Sequence, residues 1–179
     1  LCLRGGATST ALLAREKIQL RGEHNLSNVL AAFAIGAAAG LSVDAMRAAA
    51  ESFRGVAHRL ELVRELHGVR WYNDSIATAP ERTMADIRSF DEPIVLLLGG
   101  RDKDLSWDDL AQLVHQRVEH VVLFGEAAEK IEAAFDPVTG VTRTQVRCET
   151  LEGAVSAAAQ VARRGDVVLF SPGGTSYDA

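Results

Sequence analysis

The chain has 179 residues, 47% of them hydrophobic and 24% charged, a composition that is typical of globular proteins and excludes disordered and fibrous classes. Its 19 basic and 24 acidic side chains give a net charge of −5, and no basic run is present that could capture nucleic acid or an anionic membrane surface. We therefore expect no nucleic-acid or membrane partner, which leaves small molecules or proteins. The length suits one complete domain with a piece of another.

The two cysteines, Cys2 and Cys148, lie far apart without a CxxC motif or a histidine cluster, so neither a disulfide framework nor a metal site is predicted. No apolar run approaches the roughly 20 residues of a membrane span. A cytoplasmic location fits both features. The first residue is not methionine, and the sequence ends where a new element would begin. We therefore interpret the chain as a piece of a longer protein.

The first part of the chain predicts a helical hairpin. Residues 17–20 are predicted to form a short strand, and an alanine-rich helix follows from Asn25 to Gly40. Asn25 is expected to cap that helix, and Gly40 suits the left-handed position after its end. Ser42 is expected to cap a second helix, which ends near Phe53.

A domain boundary is predicted near residues 54–60, where leucines that alternate with polar residues replace the alanine-rich pattern. Two strand-like runs follow, joined by a tight turn at His67-Gly68. Continuous apolar runs then alternate with predicted helices; the runs are 94–98, 121–124 and 167–170, with a weaker strand at 142–146, and the helices are 80–90, 107–118, 126–135 and 151–163. Such runs indicate a parallel sheet covered on both faces. The predicted fold class is α/β, a Rossmann-like, doubly wound and mainly parallel sheet.

Ligands in such folds bind beyond the carboxyl ends of the strands. After the strongest strand, Gly99 and Gly100 allow close backbone approach, and Lys103 adds a mobile cation suited to an anionic substrate. Ser106 and Asp109 then form a variant of the capping box. A solvated polar turn explains these residues about as well, because the segment matches neither GxGxxG nor a phosphate loop.

The segment 171–176 follows the last strand with two hydroxyls and several backbone amides, which are the components of an anion-binding nest. We favour a ligand-binding loop there over a flexible turn. Asp74 also follows a strand, where it could hydrogen-bond a ribose or form an ordinary Asx turn.

Three residues nearer the N-terminus are ambiguous from the residues alone. Asn25 and Asn28 share a helix face, and two carboxamides can read an adenine edge, although helix capping by Asn25 is the better interpretation. Arg59, next to His58, could contact a phosphate, although a surface salt bridge is the simpler interpretation.

Five motifs together resemble the Mur ligase family in order and spacing, over nearly the whole chain: GEHNLSN (22–28), AHRLE (57–61), NDSIAT (73–78), GGRDKD (99–104) and SPGGTSYD (171–178). The first two are shared by many amide ligases of the family, whereas NDSIAT and SPGGTS are more specific to the branch that adds D-glutamate. The resemblance implies an ATP-dependent ligase that joins D-glutamate to UDP-N-acetylmuramoyl-L-alanine in peptidoglycan synthesis. It assigns residues 58–179 to the C-terminal amino-acid-binding domain and residues 1–57 to the end of the ATP-binding domain.

The resemblance also implies roles for individual residues. Asn25 and Asn28 would contact the adenine, Arg59 the nucleotide phosphates across a domain hinge, and Asp74 the ribose. The D-glutamate pocket would be formed by Thr78, Lys103, Ser176 and Tyr177. One departure is Ile76, where many family members have lysine, so Lys103 would carry more of the positive charge.

The implied chemistry begins when ATP, with Mg²⁺, phosphorylates the L-alanine carboxylate to an acyl phosphate, from which the amine of D-glutamate displaces phosphate. No GxxxxGK[ST] phosphate loop occurs in the chain, so no catalytic residue is assigned within it. We expect ATP and Mg²⁺ to bind mainly elsewhere in the parent enzyme, and the chain alone to be inactive. The alternative is a stand-alone Rossmann-like module that binds a nucleotide or sugar phosphate without catalysis, which leaves the helical hairpin and the five motifs unexplained.

Overall fold

The structure, a computed structural model, describes residues 2–5, 8–135 and 144–175. The chain divides into two compact units, Leu1–Gly55 and Val56–Ala179. This division falls in the segment where the alanine-rich pattern gives way to alternating leucines.

The first unit contains an antiparallel strand pair and a helical hairpin. The strands are β1 (Cys2–Gly5) and β2 (Thr8–Ala11), and the helices are α1 (Glu23–Ala38) and α2 (Val43–Ser52). The unit has a small hydrophobic core of Leu12, Leu13, Ile18, Phe33 and Met46.

The ends of the two helices follow the sequence signals, with one exception. The Ser42 hydroxyl accepts a hydrogen bond of 3.2 Å from the amide of Ala45, so Ser42 caps α2 as predicted. Gly40 has the positive φ of +79° that was expected after α1. The prediction that Asn25 caps α1 is wrong, because the helix begins at Glu23 and Gly22 occupies the cap position.

The short strand predicted at residues 17–20 is also absent, since Arg15–Lys17 form one turn of 3-10 helix and Ile18 lies in irregular backbone. Ile18 is only 5% exposed. The apolar side chain of Ile18 is therefore explained by burial in the small core and does not indicate a strand.

The second unit is built on a six-stranded sheet with the strand order β3-β4-β8-β5-β6-β7. All neighbouring strands are parallel except β3, which pairs antiparallel with β4. The strands are β3 (Glu61–Leu66), β4 (Val69–Asn73), β5 (Ile94–Gly99), β6 (Val118–Phe124), β7 (Thr144–Cys148) and β8 (Val167–Gly173), and the helices are α3 (Pro80–Ile87), α4 (Asp108–Arg117), α5 (Ala128–Phe135) and α6 (Leu151–Val161). The predicted α/β fold class is confirmed.

The two faces of this sheet explain why its central strands are apolar throughout. Side chains of α3, α4 and α5 share one core with Ile94, Leu96 and Leu98. Alanines of α6 share the other core with Val95 and Leu97. Successive residues of β5 therefore enter opposite cores, and each burial contributes about 1.5–3 kcal/mol relative to exposure.

Two local features were predicted, one correctly and one wrongly. The turn between β3 and β4 has positive φ at both His67 (54°) and Gly68 (79°), as a tight hairpin turn requires. The prediction that Ser106 caps a helix is wrong, because Trp107 occupies the cap position of α4 and Ser106 instead accepts the amide hydrogen of Asp108.

Within the described ranges, no helix is both long enough and apolar enough to cross a membrane.

Candidate functional site

The predicted D-glutamate residues Thr78 and Lys103 lie next to each other in the second unit. The Lys103 ammonium group donates a hydrogen bond of 3.1 Å to the carbonyl oxygen of Thr78. Thr78 precedes α3 and Lys103 follows β5, so two separate loops bring these residues together. The Lys103 side chain is exposed, which leaves its charge accessible to a ligand.

The loop that carries Lys103 is held by a second lysine on α5. The ammonium group of Lys130 contacts the carboxylates of Asp102 at 2.6 Å and Asp104 at 3.3 Å. These carboxylates flank Lys103 in sequence. The hydrogen bond from Lys130 lowers the pKa of Asp102, and the hydrogen bonds to Asp102 and Asp104 raise the pKa of Lys130. Because the acidic neighbours of Lys103 are paired with Lys130, they are less available to neutralise the charge of Lys103.

Close backbone packing fixes the loops that follow β5 and β8. Gly99 has φ of +152°, and a Cβ atom there would lie 1.9 Å from the carbonyl oxygen of Phe124. A Cβ atom on Gly174 would lie 2.7 Å from the carbonyl oxygens of Gly99 and Arg101. Arg101 and Thr175 exchange backbone hydrogen bonds of 2.7 and 3.1 Å. Glycine is therefore required at both strand ends.

The segment that carries Arg59 is bound to the loop after β4. The Asp74 carboxylate accepts a hydrogen bond of 2.9 Å from the amide of Leu60, and the side-chain nitrogens of Asn73 and His58 are 3.1 Å apart. His58 and Leu60 both have positive φ, 64° and 43°, which is unusual for residues with side chains. Arg59 is exposed between them. Two of the residues predicted to contact the nucleotide, Arg59 and Asp74, are thus close neighbours.

Asp74 is 4% exposed and belongs to a buried polar group beneath the loop. Its side chain hydrogen-bonds that of Asp86, on α3. The Ser171 hydroxyl lies 2.8 Å from the Asp86 carboxyl and 3.0 Å from the Thr83 hydroxyl. The carboxyl group of Asp74 is therefore oriented by partners inside the protein.

Burial raises the pKa of Asp86 from 3.8 to about 9. The hydrogen bond to Asp74 and the negative charge of Asp74 act in the same direction. Ser171 and Arg82 oppose the shift without cancelling it. Asp86 therefore keeps its proton at neutral pH.

In the first unit, the carboxamides of Asn25 and Asn28 are joined to each other. Asn28 donates a hydrogen bond of 3.3 Å to the side-chain oxygen of Asn25, and Asn25 donates one of 2.8 Å to the carbonyl oxygen of Arg21. Asn25 is 7% exposed, whereas Asn28 is on the exposed surface of α1. Asn28 is therefore the more accessible of the two for an adenine edge.

A cleft of about 430 Å³ opens at the carboxyl ends of β5 to β8, beside the N-terminus of α6. Its charged lining residues are Arg101, Glu126, Glu149 and Glu152. Three carboxylates against one guanidinium group disfavour binding of the two carboxylates of glutamate. Thr78 and Lys103 do not line this cleft.

The predicted site residues thus fall into separate groups. Thr78 with Lys103, and Arg59 with Asp74, are brought together in the second unit, while Asn25 and Asn28 pair in the first. Ser176 and Tyr177 lie outside the described residues. The loop predicted at residues 171–176 is partly wrong, because β8 continues to Gly173.

Sequence reasoning missed Lys130 and Asp86. Asp86 did leave a signal, since it shares one face of the amphipathic helix α3 with Thr83 and Ile87, a face that is otherwise buried. Lys130 left none, because nothing in its sequence context indicates a partner 26 to 28 residues away.

The described residues contain no group of three or more histidine, cysteine, aspartate or glutamate side chains that could hold a metal ion.

Comparison with known proteins connects this geometry to a family. The family model described as Mur ligase, glutamate ligase domain, matches residues 58–174. The UDP-N-acetylmuramoylalanine--D-glutamate ligase of Roseiflexus sp. (strain RS-1) is 47% identical over 175 residues, which cover 97% of this chain and 37% of the relative. The ligase of the same name from Clostridium perfringens (strain 13 / Type A) is 40% identical over 167 residues, covering 92% and 36%.

Among solved structures, Mycobacterium tuberculosis folylpolyglutamate synthase complexed with ADP is 25% identical with a TM-score of 0.67, and the match covers 87% of this chain and 39% of that one. The chain thus spans little more than a third of the length of the curated relatives described above. Since the family model matches residues 58–174, which contain the Thr78–Lys103 pair and the Asp74 loop, the chain belongs to the Mur ligase family, as its five motifs predicted.

Proposed function

We propose that the chain is part of an ATP-dependent ligase that joins D-glutamate to UDP-N-acetylmuramoyl-L-alanine in peptidoglycan synthesis, in the cytoplasm. Residues 58–179 would form its amino-acid-binding domain, and residues 1–57 the end of its ATP-binding domain. The names of the 47% and 40% identical relatives support this assignment.

One observation carries the proposal: the Lys103 ammonium nitrogen lies 3.1 Å from the Thr78 carbonyl oxygen, although the two residues lie on different loops. D-Glutamate has two carboxylates, and the exposed ammonium group of Lys103 can bind one of them by a charge-assisted hydrogen bond. The acidic cleft near Glu149 lacks this complementarity. We assign D-glutamate to the Thr78–Lys103 pair, with Ser176 and Tyr177 completing the pocket.

The nucleotide side of the proposal uses the other two groups. Asn28, held by Asn25, would face the adenine, and Arg59 would contact the phosphates from the segment that Asp74 fixes. Because Asp74 is largely buried, it would contact the ribose only through the small exposed part of its carboxylate. Mg²⁺ would supply charge neutralisation at the phosphoryl group and would bind mainly to the rest of the enzyme.

In the proposed reaction, an oxygen of the L-alanine carboxylate attacks the γ-phosphorus of ATP, and ADP leaves. The D-glutamate amine then attacks the acyl carbon, loses a proton, and inorganic phosphate leaves with the amide bond formed. A carboxylate is a poor electrophile, so the acyl phosphate provides the leaving group. The proposed task of this chain is to hold the D-glutamate amine at that carbon.

A chimera tests the proposal. Residues 1–179 would replace the matching segment of the Roseiflexus ligase, and phosphate release would be measured with ATP and UDP-N-acetylmuramoyl-L-alanine in the presence of D-glutamate, L-glutamate or D-aspartate. We expect release that depends on D-glutamate, and none from the 179-residue chain alone. A folded chimera that releases no phosphate with D-glutamate would contradict the proposal and favour a binding module without catalysis. Turnover by the isolated chain would contradict the assignment of the catalytic parts to the rest of the enzyme.

A further inference from the structure

The buried group formed by Asp74, Asp86, Ser171 and Thr83 has no role in the proposed reaction so far. Asp86 is 3% exposed, Asp74 is 4% exposed, and the other two residues are completely buried. Buried carboxyl groups are costly unless they are hydrogen-bonded, and two in contact cannot both be ionised cheaply. The burial of both carboxyl groups in the second unit is therefore costly unless a hydrogen bond joins them.

The donor and the acceptor of each hydrogen bond in this group can be assigned. Thr83 donates to the carbonyl oxygen of Ser171 at 3.2 Å, and Ser171 donates to the Asp86 carboxyl at 2.8 Å. The remaining hydrogen bond joins Asp86 to Asp74, and it requires one proton between two carboxyl groups. Asp74 already accepts the amide hydrogen of Leu60 at 2.9 Å. Each carboxyl group thus has one oxygen occupied by another donor, and because burial raises the pKa of Asp86, the shared proton belongs to Asp86, which donates it to Asp74.

The end of this chain of hydrogen bonds is a strained segment. Leu60 and His58 have φ values of 43° and 64°, a region that residues with side chains rarely adopt because of steric strain. Such a conformation persists only where surrounding contacts impose it. The Asp74–Leu60 hydrogen bond is one of those contacts, and Arg59 lies between the two strained residues.

We propose that Asp86 is a positioning residue for nucleotide binding: by donating its proton to Asp74, it holds the Asp74 carboxylate on the Leu60 amide and so fixes the backbone that presents Arg59. This inference rests on the proposed function, which assigns the nucleotide phosphates to Arg59. Thr83 still binds the Ser171 carbonyl oxygen when the Asp86 carboxyl group is removed. That removal should therefore loosen the side chain of Asp74 more than it loosens β8.

Two substitutions at Asp86 distinguish a positioning role from a general effect on the stability of the fold. Asp86→Asn keeps a donor for Asp74 and an acceptor for Ser171, whereas Asp86→Ala removes both. Glu81→Gln, at an exposed position in the first turn of the same helix, is the matched control for loss of a carboxyl group. The charged groups that act on Asp86 are Asp74, from the loop after β4, and Arg82, on α3 itself.

The first measurement is amide hydrogen exchange of Leu60 in the 179-residue chain, observed by NMR near neutral pH. We expect at least tenfold faster exchange in Asp86→Ala, and rates close to those of the unsubstituted chain in Asp86→Asn and Glu81→Gln. Equal protection of Leu60 in Asp86→Ala would overturn the proposal. So would an Asp86→Asn variant as unprotected as Asp86→Ala.

The second measurement uses the chimera. We expect Asp86→Ala to raise the KM for ATP about tenfold while kcat and the KM for D-glutamate change less than twofold, with Asp86→Asn near normal. A chimera that turns over with an unchanged KM for ATP in Asp86→Ala overturns the positioning role and leaves the proposed function standing. A chimera without D-glutamate-dependent turnover contradicts the proposed function, and the Leu60 exchange then decides the positioning role alone.

If Asp86→Ala does not fold, the pH dependence of the KM for ATP decides the matter. In the unsubstituted chimera this KM should rise as the pH passes about 9, where Asp86 loses its proton. In Asp86→Asn, which has no proton to lose, that rise should be absent. Identical profiles for the two proteins would overturn the proposal.

Discussion

The carboxyl group of Asp86 lies almost wholly inside the second unit, where its neutral form is favoured by burial. The folded protein therefore holds a proton that the unfolded chain releases above the ordinary pKa of 3.8. Its favourable contribution to stability is full below about pH 4 and is lost progressively as the pH rises to about 9. Single residues of this kind give the fold a pH dependence that composition does not show.

We expect Asp86→Asn to flatten the pH dependence of the free energy of unfolding between about pH 4 and pH 9, with a change in slope of up to about 1.4 kcal/mol per pH unit. Urea unfolding at several pH values would measure it. Tryptophan fluorescence isolates the second unit, because the two tryptophans of the chain, Trp71 and Trp107, both lie there. Parallel slopes for Asp86→Asn and the unsubstituted protein would show that Asp86 does not retain its proton.

Gly99 is a second residue whose effect comes from its surroundings. A Cβ atom at this position would overlap the Phe124 carbonyl oxygen, which is backbone of β6 and cannot move aside. We expect Gly99→Ala to lower the free energy of unfolding by about 3 kcal/mol or more. Gly165→Ala is the control, since Gly165 also has a positive φ (99°) but nothing within 4 Å of its added Cβ, and it should cost only about 1 kcal/mol. Equal losses in the two variants would refute the steric explanation.

At the scale of elements, strand and helix types were predictable because burial leaves strong patterns. The runs at 94–98, 121–124 and 167–170 are apolar at every position because each strand faces two cores. Cap positions were less predictable. Asn25 and Ser106 both carry side chains that favour caps, yet each forms a different hydrogen bond, to Arg21 and to Asp108 respectively. Several polar residues compete near a helix start, and tertiary contacts decide among them.

The candidate site was predictable only in part, for a related reason. Lys103 and Thr78 follow strand-end positions, and the topology of a parallel sheet brings such positions together. The contacts of Lys130 and Asp86 depend on which helix faces which loop, and this is set by packing rather than by a local pattern. Thr78 and Lys103, which are proposed to bind D-glutamate, were accessible to sequence reasoning, whereas Lys130, which holds the loop of Lys103, was not.

The contact between α5 and the Lys103 loop gives a prediction at this scale. We expect Lys130→Met to raise the KM of the chimera for D-glutamate several-fold, because the loop loses its two ion pairs to Asp102 and Asp104. Lys130 is 42% exposed, so the midpoint of urea unfolding should change little, because solvent screens exposed ion pairs. Kinetics and urea unfolding of the same preparation would measure both quantities.

Lys17→Met is the control for this substitution, since Lys17 forms an exposed ion pair with Glu51 in the first unit. It should leave the KM for D-glutamate unchanged. An unchanged KM in Lys130→Met, or an equal rise in Lys17→Met, would contradict the role of Lys130 in holding the loop.

At the scale of the whole molecule, two units carry different parts of the proposed task. The first unit contributes the Asn25–Asn28 pair, and the second contributes the D-glutamate pair and the Arg59 segment. The relatives are almost three times as long as the matched segment, so most of the proposed catalytic machinery would be supplied by other residues. Length and charge do not identify the family, and the motifs are needed for that.

Lys103 is the residue proposed to bind D-glutamate, and steady-state kinetics of the Lys103→Ala chimera would measure its contribution. We expect the KM for D-glutamate to rise at least tenfold, because a charge-assisted hydrogen bond is worth about 1.5–3 kcal/mol, while the KM for ATP stays within twofold. Lys17→Ala should leave both values unchanged. A Lys103→Ala chimera with an unchanged KM for D-glutamate would contradict the account.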